Sequence, residues 1–578
     1  RGGRGRRGAE HEQPNNEAGN DDAMSIDDDD EEREDAQNAV RVVLRGIIAD
    51  GSAHGYSRSN VVFIEWLMSS ESCIGVLETW FLFAVEAMDE RDRRVYTKNV
   101  LLAMDPDLDN CPIVLPSVTF ELFSHYLVTK KKKGGGLLSV QTYDGCRSAL
   151  MHMYRRSKYT CSDHFCNQMS DFICAMRRKL QREKVQRGDS LSQGKKRMGW
   201  KVYELMCRLF LEGDDSEYSF AHCFLTLEWN LMSRSENVVD CHAENIIWND
   251  DSLGFTFPKS KTDQTGKNAD SIWHVYATPH NPITCPILAL ARYLFSNPGI
   301  LTPVPSHEEY DATVETSLID PSLCDSHISQ NGYTKLFPGR NQYDRFMKCF
   351  RKVILENEDE FRRFGIQDGD LGSHSARKGS ASYASSGSTV SPPRVSVCLR
   401  AQWSMGSVKE RYLHYEKAGD QYLGRVVSGL NCSRYLFAAS PPYFDFDCTA
   451  DNAMTAGELD SMMTSFIPRG SRLNSRIFCI FRFCFASLCF HSDFLKQNLH
   501  KKNKLHGSPF FTRIPRAIKD LAKVRFPWNT TESTPAFTGI PPHISLLSEM
   551  KGMKEDFKKM KESLIADFKR ELDERSIG

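Results

Sequence analysis

Two short stretches carry side chains that could break and rejoin a phosphodiester. SHSARKG, residues 373–379, places His374 and Arg377 in a His-x-x-Arg pattern, and WSMGSVKERYLHYE, residues 403–416, holds Trp403, Tyr412 and Tyr415. Metal-free chemistry at such a bond needs three things: a nucleophile for phosphorus, fixed cations for the charge on the nonbridging oxygens, and an acid for the departing 5′ oxygen. Tyr412 is the candidate nucleophile, and because a free phenol has a pKa of about 10, neighbouring cations must ease its deprotonation. Arginine suits the cationic role, since it stays charged and grips two phosphate oxygens in a fork. Arg377 is one such residue and Arg234, in SRSENV, is another; Lys261, in KSKTDQTG, follows Arg234 by 27 residues.

Each of these residues has a structural explanation when taken alone. His374 and Arg377 could cap and pair on the helix that begins after Gly372, Trp403 could be core, and Lys261 could be an exposed hairpin lysine with Lys259 the participant. Tyr415 rivals Tyr412 from one helical turn away, and Tyr422 lies further on. Tyr412 stands nine residues after Trp403.

Taken in order, Arg234, Lys261, His374, Arg377, Trp403 and Tyr412 resemble the signature of the tyrosine recombinases, the phage-integrase family of DNA breaking and rejoining enzymes. The stretch RAQWSMGSVKERYLHYEKAGDQYLGR is similar to eukaryotic members carried by Crypton-type mobile elements. The resemblance covers roughly residues 195–430, and the helical region before it looks like the family's core-binding domain. It implies that Tyr412 attacks the scissile phosphate to form a 3′-phosphotyrosyl link, so that religation needs no cofactor and no metal. It also implies that Arg234 and Arg377 hold the phosphorane, Lys261 protonates the leaving oxygen, His374 assists proton transfer, and Trp403 packs on the site and donates its indole N–H. Double-stranded DNA, a homotetramer on that DNA, and a nuclear setting follow from the same resemblance. The sequence departs from the family where an acidic residue often stands three positions after the first arginine: Asn237 is there, with Glu236 beside it. A catalytically inactive, domesticated DNA-binding protein of the same fold and a type IB topoisomerase are the alternatives.

At 578 residues the chain should form two or three domains with unstructured segments. A net charge of −1 conceals opposed local charges. Residues 1–37 join an arginine-glycine tract to an acidic run with too little apolar surface to offset ordering entropy, so disorder is expected there. Residues 38–194 read as a helical DNA-binding domain. A loop with Lys130, Lys131, Lys132 and Lys133 lies between two apolar helical stretches, and a later helix sets Met169, Phe172, Ile173, Met176 and Leu180 on one face, away from Arg177 and Arg178. Those cations, with Lys195 and Lys196 at the start of the next region, are the candidate phosphate contacts.

Residues 195–430 read as helices around a small antiparallel sheet formed by ENIIW, LGFTFPKSK and SIWHVYATP, with residues 297–335 as a long loop. The expected class is therefore mainly α with a small antiparallel β-sheet (α+β), a helical core-binding domain preceding the catalytic domain.

Residues 431–540 read as irregular. RIFCIFRFCFASLCFH, residues 476–491, resembles neither a clean strand nor a helix; Arg482 and its short length argue against a membrane span. Residues 541–578 carry Met550, Met553, Phe557, Met560 and Leu564 at alternating spacings of 3 and 4 until Asp567 breaks the register. That pattern fits a short coiled coil or an amphipathic helix docking on its own domain. The eighteen cysteines lack paired C-x-x-C spacing, so a reducing compartment is expected; Cys161, His164 and Cys166 lack a second ligand pair and read as structural.

Overall fold

The computed structural model describes residues 50–70, 75–104, 110–187, 194–214, 216–258, 266, 269–297, 300, 334–406, 412–446, 454–467, 475–526 and 539–576. Residues 1–37, Lys259, Lys261 and most of the 297–335 loop lie outside them. The chain divides into two compact units, Arg1–Leu191 and Ser192–Gly578.

The first unit is helical: α1 (Asp50–Ser69), α2 (Thr79–Val85), α3 (Glu90–Leu102), α4 (Phe120–Thr129), α5 (Val140–Arg156) and α6 (Asp163–Arg187). Short polar side chains start four of these helices by accepting free amide protons: Asp89 from Asp92, Thr119 from Leu122, Ser139 from Thr142, and Ser162 from Phe165. Phe63, Phe81, Phe123, Tyr126 and Leu150 fill the core, and Asn60 donates to the Ala149 carbonyl at 3.1 Å, tying α1 to α5. On α6, Met169, Ile173 and Met176 are buried and Phe172 and Leu180 pack against them, which leaves Arg177 and Arg178 exposed.

The second unit begins with α7 (Trp200–Glu212), α8 (Tyr218–Asn230) and α9 (Ser235–Val239). Every residue of α8 is buried, as befits a helix apolar nearly all round. Strands β1 (Ile246–Asn249), β2 (Ser252–Phe255) and β3 (Trp273–Val275) form an antiparallel sheet in that order, with Trp248 opposite Leu253 and Leu253 opposite Val275. Asp250, with a φ of 52°, turns the chain from β1 to β2. Helices α10 (Pro286–Ser296), α11 (Gln342–Glu356), α12 (Glu358–Arg363), α13 (Ser373–Ser386), α14 (Arg394–Arg400) and α15 (Lys417–Val427) surround α8 and the sheet. The fold class is mainly α with small antiparallel sheets.

The structure overturns the irregular reading for the described part of residues 431–540. They hold β4 (Tyr443–Phe444), α16 (Ala456–Ser465), α17 (Ser475–Phe490), α18 (Ser492–Asn498), α19 (Pro509–Arg513), α20 (Arg516–Asp520) and β5 (Ala522–Lys523), with β4 antiparallel to β5. The segment read as neither strand nor helix is α17. It buries Ile477, Ile480, Phe481, Cys484, Phe485 and Leu488, the i, i+3, i+4, i+7 pattern of a helix face, against α10, β1 and β5. Aromatic and sulfur side chains on the flanking positions obscure that period in the sequence. Arg482 lies off this face, 3.5 Å from Asp460. Among the described residues no single helix is long and apolar enough to cross a membrane. The chain ends in α21 (His543–Ser576).

Candidate active site

Arg234 is placed by the exit from α8. Met232, with a φ of 50°, reverses the chain, and the Ser233 amide donates to the Glu228 carbonyl at 3.3 Å, so that Arg234 becomes the N-cap of α9. Its guanidinium is half-buried, and Nη1 is buried with no hydrogen-bond acceptor among the described residues.

His374 and Arg377 stand on the first turns of α13. The helix is started by the Ser375 hydroxyl, which accepts from the Gly372 amide at 3.0 Å. Its depth is set by Gly379, where an added Cβ would fall 1.8 Å from the Met198 carbonyl oxygen and 2.8 Å from the Trp229 ring. Only glycine lets the helix press against residues 195–198 and α8 in this way. Arg377 is 7% exposed, whereas His374 is only partly covered and reaches solvent.

The turn after α14 closes the site from the third side. The Arg377 guanidinium donates to the Ala401 carbonyl, and Asn237 donates to the Gln402 side chain at 3.4 Å, with Gln402 in the left-handed region at a φ of 51°. Asn237 thus binds the turn that leads to Trp403. Trp403 itself is 44% exposed and donates its backbone amide to the Cys398 carbonyl at 2.9 Å.

A buried ion pair fixes that turn. Arg400 meets Asp420 at 2.7 Å and donates to the carbonyls of Asn230, at 2.9 and 3.1 Å, and His274, at 2.7 Å. Asp420 in turn accepts from the His274 amide at 2.8 Å. One guanidinium therefore joins α14, α15, β3 and the end of α8.

The charge of Arg234 reaches both His374 and Arg377. Burial, then Arg377 and Arg234, hold the His374 imidazole below its ordinary value, so it is neutral near pH 7. Burial and Arg234 bring Arg377 down to about 10, still charged at neutral pH, while Glu228 pulls it upward. Glu228, in α8, is pushed up to about 8 by burial, with Ser235 and Arg377 pulling it down. The Ser235 hydroxyl donates to one Glu228 oxygen at 2.6 Å.

Tyr412 is not drawn into this cluster. It is 73% exposed, and its hydroxyl has no hydrogen-bond partner among the described residues. Its rivals are both engaged. The Tyr415 hydroxyl donates to the Ile272 carbonyl at 2.5 Å, and burial raises its pKa; the Tyr422 hydroxyl donates to the Val390 carbonyl at 2.8 Å. Lys261 and its alternative Lys259 lie outside the described residues.

The candidate phosphate contacts differ in how free they are. Lys131, Lys132 and Lys133 are exposed on a tight hairpin after α4, where the Lys132 amide donates to the Gly136 carbonyl at 3.1 Å. Lys130 turns back instead, donating to the Tyr126 hydroxyl at 2.9 Å. Lys195 donates to the Gly369 carbonyl at 2.5 Å and Lys196 pairs with Asp370 at 2.8 Å, so both brace the loop before α13. Among the described residues no group of three or more His, Cys, Asp or Glu is arranged to hold a metal.

Sequence reasoning passed over Glu228, Arg400 and Asp420. A carboxylate inside the apolar run FLTLEWNL and an arginine in SVCLRAQW were signals, because charges in otherwise apolar helices are buried only with partners. No protein-family model matches the chain, and no curated protein matches it.

Proposed function

We propose that this chain is a DNA strand-transfer enzyme of the tyrosine-recombinase kind, with Tyr412 as nucleophile. The observations that carry the reading are that Arg234 and Arg377, some 140 residues apart in sequence, lie close enough for the charge of Arg234 to act on Arg377 and for both to act on His374, and that one Arg234 guanidinium nitrogen is buried without an acceptor among the described residues. A phosphate oxygen supplies such an acceptor, and two fixed guanidinium groups match the charge that grows on phosphorus during attack.

The step balances without a cofactor. Tyr412 gives its proton to the neutral imidazole of His374, its oxygen bonds to phosphorus, the bond to the 5′ oxygen breaks, and Lys261 protonates that oxygen. The reverse sequence rejoins the strand. In the free chain the Tyr412 hydroxyl stands in solvent, so binding of DNA has to bring hydroxyl and phosphate together. Lys131–Lys133, Arg177 and Arg178 add sequence-independent phosphate contacts, and affinity should fall steeply with salt. Assembly as a tetramer on DNA, in the nucleus and in the service of a Crypton-like element, belongs to the same proposal.

The exposure of Tyr412 favours one second reading, a DNA-binding protein of this fold that performs no chemistry. A nicked suicide duplex, whose 5′ fragment diffuses away after cleavage, separates the two. A covalent protein–DNA adduct that disappears in Tyr412→Phe supports strand transfer. An adduct that survives Tyr412→Phe but is lost in Tyr415→Phe reassigns the nucleophile. DNA binding with no adduct from any form leaves the binding protein.

A further inference from the structure

The last helix carries an apolar face that none of the described residues covers. Its first turns are anchored: Ile544 is buried and Leu547 packs with Tyr276, Val426 and Phe437, and the His543 imidazole hydrogen-bonds the Cys432 carbonyl at 2.9 Å. Lys551 donates to the Tyr435 hydroxyl at 2.8 Å. Beyond that point α21 projects as a single helix, and at 1.5 Å per residue its whole length of 34 residues spans about 50 Å. Leu546, Met550, Met553, Phe557, Met560 and Leu564 follow one another at spacings of 4, 3, 4, 3 and 4, and are between 57% and 74% exposed. An isolated helix with such a stripe is marginal in water, and a partner helix seated on the seam removes the stripe from solvent.

Charge identifies the partner and its direction. With Met550, Phe557 and Leu564 at the a positions and Leu546, Met553 and Met560 at d, the flanking g positions hold Glu549 and Asp556 and the e positions hold Lys554 and Lys561. In a parallel pair each g residue faces the e residue five positions later on the other helix, so Glu549 meets Lys554 and Asp556 meets Lys561, twice over by symmetry. An antiparallel pair sets lysine against lysine and acid against acid. None of these four groups forms an ion pair among the described residues, whereas two pairs on the outer face are matched within the helix, Lys551 with Glu555 at 3.5 Å and Lys558 with Glu562 at 3.9 Å. The seam ends where Asp567 occupies the next d position.

We propose that α21 pairs with α21 of a second copy of this chain as a short parallel two-stranded coiled coil, which sets two second units side by side at one end of the seam. This pairing does not depend on the chemistry proposed for Tyr412. Sedimentation equilibrium of the full chain tests it: the unsubstituted protein should show twice the chain mass. Lys554→Glu with Lys561→Glu should halve that mass, as should Glu549→Lys with Asp556→Lys. Mixing the two variants should restore the dimer, and unchanged thermal unfolding of each would show that the exposed substitutions spare the fold. Oxidation of a Met550→Cys chain should then join two copies covalently, beyond any crosslinking of the unsubstituted chain. A monomeric unsubstituted chain overturns the proposal, as does a Lys554→Glu, Lys561→Glu variant that still dimerises. A monomer that floats with phosphatidylserine vesicles would assign the face to a membrane and overturn it equally.

Discussion

The carboxyl of Glu228 and the guanidinium of Arg377 are both buried, and each offsets part of the other's loss of solvent. The offset is incomplete for Glu228, whose pKa rises from 4.5 to about 8 because burial outweighs Ser235 and Arg377. The folded state therefore holds a proton that the unfolded chain releases at lower pH. Between pH 4.5 and about 8 the native state binds more protons than the unfolded one, so this group makes stability decline as pH rises through that window. Glu228→Gln, uncharged throughout, should flatten the decline and leave the variant more stable than the parent above the window. Urea unfolding across pH reads this directly, and an unchanged slope in the variant would show that Glu228 is not the group responsible.

His374 makes a prediction of opposite sign. Arg377 and Arg234 add to burial in disfavouring the imidazolium, so the folded pKa lies below 6.5. The unfolded chain takes up the proton first, and the contribution of the neutral form to stability is lost as pH falls below 6.5. If the neutral ring accepts the Tyr412 proton, adduct formation should hold steady above that value and drop on its acid side. His374→Ala should slow the step by roughly 10²–10⁴-fold, the usual yield of a positioned acid or base, and should erase the acid limb. A variant that keeps the limb would place the titrating group elsewhere.

Much of this arrangement is legible in the sequence, and the exceptions share one physical cause. Strands ENIIW, LGFTFPKSK and SIWHVYATP are readable because turn residues bound short apolar runs, and the start of α13 is readable because Gly372 precedes His374. The unreadable parts depend on partners distant in the chain. RIFCIFRFCFASLCF becomes a core helix only because α10 and the sheet cover one side of it. Glu228, Arg400 and Asp420 read as ordinary charges until packing removes their solvent. Arg234, in the same way, gains a guanidinium nitrogen without an acceptor among the described residues from the reversal at Met232, a left-handed residue that no sequence pattern marks.

Gly379 sets how deeply the His-x-x-Arg helix sits. Gly379→Ala would thrust a methyl group against the Met198 carbonyl and the Trp229 ring, neither of which can swing aside. Overpacking of this sort costs about 1–3 kcal/mol, occasionally more. Thermal unfolding should fall accordingly. Because the helix must back away from residues 195–198, Arg377 should lose its register with the Ala401 carbonyl, and adduct yield should fall further than the remaining folded fraction explains. A variant with parental stability would mean that the helix accommodates a methyl group there without backing away.

The Arg400–Asp420 pair tests whether the turn bearing Trp403 depends on charge buried behind it. Asp420→Ala leaves a guanidinium with 0% side-chain exposure and no counter-charge, and breaking a buried pair by removing one partner costs about 3–5 kcal/mol. Asp420→Asn should cost less, since its amide oxygen can still accept from Arg400. Removing both partners, as Arg400→Ala with Asp420→Ala, should be less damaging than the two single losses added together, because the second truncation removes the charge that the first left stranded. Denaturant unfolding of the four proteins closes this cycle, and additive losses would mean that the pair holds the turn by packing alone. Where the variants remain folded, the freed Ala401 carbonyl should let Arg377 drift, and DNA binding should persist while adduct formation weakens.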